Sequence, residues 1–213
     1  MADAVFPFEI LYQAIGLATK EDDNDYSTTK SCALVCYGLF GFCRQLMFEA
    51  VEVDSNFSKA SGWDHPTLRL STAGFVKALS GNSGSSLGKA IRKLSFVVSR
   101  VDIENAKMFQ RALKTINHLE YLMMTQANLL TPLVTRELEV TRNTFEHLLG
   151  LPTLSAICIS DFPIFRVGSG LKAITVWASR PHNWNQSFGF SNSLDEHRPE
   201  LESVTFHGYA AQL

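Results

Sequence analysis

The sequence predicts an α+β protein: three short N-terminal helices, then helix–strand units stacked into a short degenerate solenoid. Three observations carry this reading. Apolar residues at helical spacing fill the first fifty positions, with a proline and a Ser-Thr pair where helices would start. Further on, five segments share one pattern, aliphatic-x-x-aliphatic-x-apolar. Helical patterns separate some of these segments. That alternation is what a stack requires, since neither a lone strand nor a lone helix can bury its apolar face.

The chain has 213 residues, 46% of them hydrophobic and 19% charged, enough for a sizeable core in one large or two small domains. A net charge of -2 supplies no basic field of the kind that backbone-driven nucleic-acid binding needs, so no nucleic-acid partner is expected. The longest apolar run, Cys32 to Cys43, ends at Arg44 and is too short to cross a bilayer, so no membrane partner is expected either. The start, MADAVFPFEIL, lacks the positive region and small-residue cleavage site of an export signal. Four cysteines, three of them bunched between Cys32 and Cys43, do not resemble a secreted disulfide framework. The expected location is cytoplasmic or nuclear, with reduced thiols.

Phe6 to Leu17 reads as the first helix, with Phe6, Ile10, Leu11, Ala14 and Ile15 on one stripe. Pro7 sits in its first turn, where a missing N–H costs nothing. Lys20 to Asp25 forms an acidic loop, and Ser27 or Thr28 caps a second helix running through Cys36. Gly38 and Gly41 predict a break, followed by a third helix through Phe48. Val51-Glu52-Val53 alternates like the start of a strand. Asp54 to Pro66 is polar and turn-rich, which places a domain boundary there: 1–53 as the first unit, 54–70 as a linker, 71–213 as the repeating unit.

The five repeated segments are Ile91 to Phe96, Leu119 to Met124, Leu154 to Ile159, Leu171 to Val176 and Leu201 to Phe206. Helical patterns lie between them, with Phe109, Leu113 and Ile116 inward in one and Phe145, Leu148 and Leu149 in the other. Successive segments start 28, 35, 17 and 30 residues apart, a spread that brackets the leucine-rich repeat period of about 20–29 residues.

The N-terminal residues carry a resemblance. Phe6-Pro7-Phe8-Glu9-Ile10-Leu11 resembles the opening of an F-box, and Thr28 to Val53 resembles the rest of that motif. The form is that of F-box-like proteins with leucine-rich-type repeats from mushroom-forming fungi (Agaricomycetes). The matching residues are Cys32-Ala33-Leu34-Val35-Cys36, then Cys43-Arg44, Met47-Phe48 and Val51-Glu52-Val53. Phe145 to Ile159 is similar to a helix–Leu-Pro-Thr-Leu–strand unit of the same family. Phe6 stands where the usual residue is Leu, and Leu39 where many F-boxes carry Trp.

The resemblance implies an F-box-like domain that docks a Skp-type adaptor of a cullin ubiquitin ligase through Phe6, Pro7, Ile10, Leu11, Ile15, Val35 and Leu39. The repeats would then present a protein substrate. The alternative, to which Leu39 in place of Trp points, is a non-ligase scaffold module with a degenerate F-box.

The chemical motifs favour no enzyme and no cofactor. Cys32 and Cys36 share a helical spacing but lack two further ligands nearby for zinc, and a free cysteine packs as a small hydrophobe. Gly81 to Ala90, GNSGSSLGKA, has Ser83 and Ala90 where a phosphate-binding loop needs Gly and a hydroxyl residue; it reads as a flexible turn from helix to strand. Cys158 is read as packing or as a solvent-facing strand position. The six histidines are scattered, and no catalytic constellation is found.

Overall fold

The computed structural model describes residues 8–21, 26–35, 37–54, 67–98, 106–126, 143–160, 167–178 and 201–208. Three helices come first: α1 (Phe8–Glu21), α2 (Ser27–Val35) and α3 (Tyr37–Met47). Strands and helices then follow as β1 (Ala50–Asp54), β2 (Leu68–Leu70), α4 (Thr72–Ser80), α5 (Gly84–Ala90), β3 (Lys93–Val98), α6 (Ala106–Leu113), β4 (Tyr121–Gln126), α7 (143–149), β5 (Ala156–Ser160), β6 (Ala173–Ala178) and β7 (Ser203–Gly208). The fold is thus a mixture of helices and one sheet, as the sequence predicts at that level.

All seven strands form one parallel sheet in the order β2-β1-β3-β4-β5-β6-β7. The five repeated segments supply β3 to β7, each next to its predecessor. Their register lines up the apolar positions in two columns. One runs Leu68, Val51, Leu94, Leu122, Ile157, Ile174, Val204, and the other Leu70, Val53, Phe96, Met124, Ile159, Val176, Phe206. Strand side chains alternate between faces, so both columns share the face on which the helices pack.

The turn before each strand stacks on the one before it. The carbonyl oxygens of Glu49, Arg92, Glu120, Ser155 and Lys172 each accept two backbone N–H bonds, from the pairs 92/93, 120/121, 155/156, 172/173 and 202/203 in turn. Side chains follow the same column: Arg92 pairs with Glu120 at 3.5 Å and Lys172 with Glu202 at 2.8 Å. Both pairs are exposed and contribute little to stability; the backbone ladder carries the stacking.

Beneath the sheet, the core is built round four phenylalanines from four elements. Phe109 of α6 lies 4.5 Å from Phe96, 5.9 Å from Phe75 and 5.8 Å from Phe145 between ring centroids, and Phe96 lies 5.3 Å from Phe145. Leu113, Ile116, Leu148 and Leu149 are buried with them, as the helical patterns predict. Ser71 caps α4, its Oγ accepting the Gly74 N–H at 3.1 Å.

Three expectations about local structure are corrected. The break expected at Gly38 and Gly41 falls before them: both glycines lie inside α3, which starts at Tyr37. Gly81 to Ala90 is not simply a flexible turn, because Gly84 to Ala90 form α5. A Cβ on Gly84 would collide with the Leu79 carbonyl, and one on Gly88 with the Thr115 backbone, so these glycines let α5 pack backbone to backbone. The boundary after Val53 and the 54–70 linker do not fit the sheet. Val53 lies within β1, and β2 falls inside the expected linker, paired to β1. Phe48 and Met47 already belong to the core beneath the sheet. β2 and β3 pair both edges of β1, and Val51 and Val53 pack with Phe75 and Leu79 of α4 in the core.

Candidate protein-interaction surface

The first three helices have a small core of their own. Ile15, Leu39 and Cys43 are buried together, with Leu11, Tyr12, Cys32, Ala33, Phe42 and Leu46 packed around them. Tyr12 and Phe42 stack at 4.3 Å and 25°. This contact fixes the rotation of α1: its inner face is Leu11, Tyr12 and Ile15, while Ile10 and Ala14, expected on the same stripe, lie on the exposed side.

The residues expected to meet a partner therefore separate. Phe6 and Pro7 lie outside the described residues. Ile15 and Leu39 are 6% and 8% exposed and point into the unit's own core, and Leu11 packs against it. These three form a support layer. Leu39 fills the interior, so the absent Trp changes core volume rather than a contact at the surface. Ile10 and Val35 face solvent, Val35 at 85%.

The structure adds residues that the sequence reading did not place in the site. Leu34 is 88% exposed, and Leu17 and Phe40 are also open. In α2 the polarity is inverted: Thr29 is buried and Leu34 and Val35 are outside. Leu34 and Val35 close α2 and Phe40 lies in the first turn of α3, so all three exposed residues fall near the ends of the two helices. Arg44, one turn after Phe40, holds its guanidinium 5.9 Å from that ring. Exposed aliphatic residues on short helices with so small a core mark a surface suited to a partner.

The unit is tied to the sheet at Tyr26. This residue precedes α2, is 3% exposed and takes a left-handed backbone, φ 55°. Burial pushes its phenol above the usual tyrosine range, and the nearby Glu49 carboxylate adds to that. Glu49 is also the first acceptor of the turn ladder, so Tyr26 and Glu49 join the contact that Met47 and Phe48 make with the core beneath the sheet.

The cysteines take part as packing groups. Cys43 is fully buried between Ile15 and Leu39, and burial raises its thiol above the ordinary range. Among the described residues no group of three or more His, Cys, Asp or Glu is arranged to hold a metal ion, and no helix is long and apolar enough to cross a membrane.

The outward face of the sheet bears a second set of side chains. Tyr121 of β4 and Trp177 of β6 stand on the two strands that flank Cys158 of β5, and burial pushes its thiol above the ordinary range. Trp177 stacks on His207 of β7 at 3.9 Å and 12°. Cys158 is buried although its strand position faces outward, because these neighbours flank it. At the far end of this face Glu52 pairs with Arg69 at 3.1 Å. The sequence matches no protein-family model, and neither the curated proteins nor the solved structures provide a match.

Proposed function

We propose that this chain is a substrate-recognition adaptor of an SCF-type (Skp–cullin–F-box) ubiquitin ligase. The N-terminal helices dock the Skp-type adaptor, and the strand-bearing unit, read as leucine-rich-type repeats, presents a protein substrate. One observation carries the reading: Ile10, Leu34 and Val35 are exposed on helices whose inner residues form only a small core. Surface-to-volume scaling leaves a piece of this size short of buried area. Docking against a partner supplies it, with a standard interface covering roughly 1,200–2,000 Å². The F-box resemblance of Phe6 to Val53 names the class of partner. The action is positioning: holding a substrate beside the conjugating module raises its effective concentration there.

The test is a pull-down of the full chain with a Skp-type adaptor. The wild-type chain recovers the adaptor, and Leu34→Asp with Val35→Asp together reduce recovery at least tenfold while the circular dichroism spectrum stays unchanged. Equal recovery by both chains, high or low, overturns the proposal. Equally low recovery favours the scaffold module without a ligase role.

A further inference from the structure

We infer that the outer face of α4, α5 and α6 binds an acidic segment of a partner protein, with carboxylates on the cations of these helices and an apolar side chain on Met108. This surface belongs to the helical layer, away from the first three helices, and it does not need the ligase assignment.

Helical spacing builds the patch. Lys77 stands between buried Phe75 and Leu79, Arg111 between buried Phe109 and Leu113, and Lys89 two positions after buried Leu87. Two positions are about 200° round a helix, so each exposed cation lies opposite the residues its helix buries. Lys107 and Lys114 are exposed on the same side of α6 as Arg111. α4 packs beside α6 through Phe75 and Phe109. Gly88 of α5 abuts Thr115, and the adjoining residues Lys89 and Lys114 flank that contact. On α6, Gln110 donates to the Asn143 carbonyl at 2.9 Å, which turns that flank toward α7. Met108, two positions earlier, falls on the other flank, toward α4 and Lys77, and keeps 56% of its surface open.

The charge is one-sided. α4, α5 and α6 contain no acidic residue, and residues 67–126 hold nine Lys or Arg against three Asp or Glu in a chain of net charge -2. Among the described residues none of the five cations pairs with a carboxylate, and exposed Glu146 of the neighbouring α7 marks the edge of the patch. Lys77, Lys89 and Arg111 stand in last turns, where a cation complements the helix dipole. Lys107 stands in the first turn of α6, where the dipole disfavours it, so helix physics alone does not account for the stripe. An acidic partner is the electrostatic complement of such a surface. Met108 and its surroundings separate the kinds of anion. Single-stranded nucleic acids bind by stacking on aromatic side chains, and both aromatic residues of these helices, Phe75 and Phe109, are buried. A duplex lays phosphates over the cations and leaves Met108 without an apolar contact. An anionic bilayer takes up a helix through its apolar face, which in α6 is locked beneath the sheet. An acidic peptide segment meets both demands, pairing its carboxylates with the cations and covering the adaptable Met108 side chain.

The experiment uses the full chain and a phage library of randomised twelve-residue peptides at about 0.15 M salt. Enriched peptides are expected to carry Asp or Glu on both sides of an apolar residue. For a synthetic peptide of that kind, Lys107→Glu with Arg111→Glu weakens binding about tenfold or more. Lys107→Gln with Arg111→Gln serves as the second variant should the reversed pair disturb the fold. Met108→Gln, which leaves every charge in place, weakens binding about threefold or more through the lost apolar contact. Lys30→Glu with Lys172→Glu makes the same change in net charge away from the patch and leaves binding as it was. Five results overturn the proposal: no enrichment over bare support, enriched sequences lacking acidic residues, indifference to Met108→Gln, equal loss from the two charge-reversed pairs, or tighter binding of single-stranded DNA or phosphatidylserine vesicles than of the peptide. None of these bears on recovery of the Skp-type adaptor, which tests the ligase reading separately.

Discussion

Gly88 of α5 lies so close to Thr115 that a Cβ at residue 88 would run into both the Thr115 carbonyl and its hydroxyl. The contact joins a helix to the turn after α6, and it holds only because the glycine lacks a side chain. Gly41 in α3 is the opposite case, exposed and with nothing within 4 Å of a built Cβ. Gly88→Ala is expected to destabilise by about 1–3 kcal/mol through overpacking. Gly41→Ala is expected to stabilise by about 0.5–1 kcal/mol through helix propensity and a stiffer unfolded chain. Urea unfolding of the two variants measures both signs.

Phe109 contacts Phe75, Phe96 and Phe145 from a single helix. Phe109→Ala is expected to cost about 3–5 kcal/mol, transfer and cavity together. The loss in a Phe96→Leu background is expected to differ from the loss in the wild type, because the two rings share a boundary. A double-mutant cycle in urea shows whether the cluster acts as one unit.

The first helices carry two kinds of leucine. Leu39 is core and Leu34 is surface. Leu39→Ala is expected to cost about 2–5 kcal/mol, and Leu34→Ser to stay within about 0.5 kcal/mol. Thermal unfolding checks this. A large loss for Leu34→Ser would place that residue inside the unit and remove the surface on which adaptor docking depends.

Tyr26 and Tyr121 each have a phenol held above its ordinary range, chiefly by burial. The folded chain then keeps protons that the unfolded chain releases above about pH 10, the ordinary tyrosine value. Stability from these groups is complete below that pH and is lost as pH rises beyond it, because the unfolded state binds fewer protons there. Urea unfolding followed from pH 9 to pH 11 is expected to show this fall. The Tyr26→Phe, Tyr121→Phe double variant flattens it.

The strand-bearing part was largely legible because its signals are local. Leu94 and Phe96 alternate with Ser95, and the same alternation returns at Leu122, Ile157, Ile174 and Val204, so each segment reads as a strand without reference to the others. The candidate site was legible only in part. Ile10 and Val35 are exposed, whereas Ile15 and Leu39 turn inward. Helical spacing identifies a stripe but not the rotation that a neighbouring helix imposes, and here the Tyr12–Phe42 stack sets it. Leu34 was missed as a surface residue because α2 is weakly patterned; a buried Thr29 opposite an exposed Leu34 has no sequence signature.

By itself, the sequence determined the helical start, the five strand segments and the apolar columns they build, since these depend on residue type and short spacing. The tertiary structure alone decided that β1 and β2 join the same sheet, that Gly84 and Gly88 serve close packing, and which apolar residues of the first helices stay in water. It also alone brought Tyr121, Cys158, Trp177 and His207 together from four strands. The physical reason is common to all: each depends on contacts between residues far apart in the chain, whose pairing is set by register and helix rotation after the local elements exist.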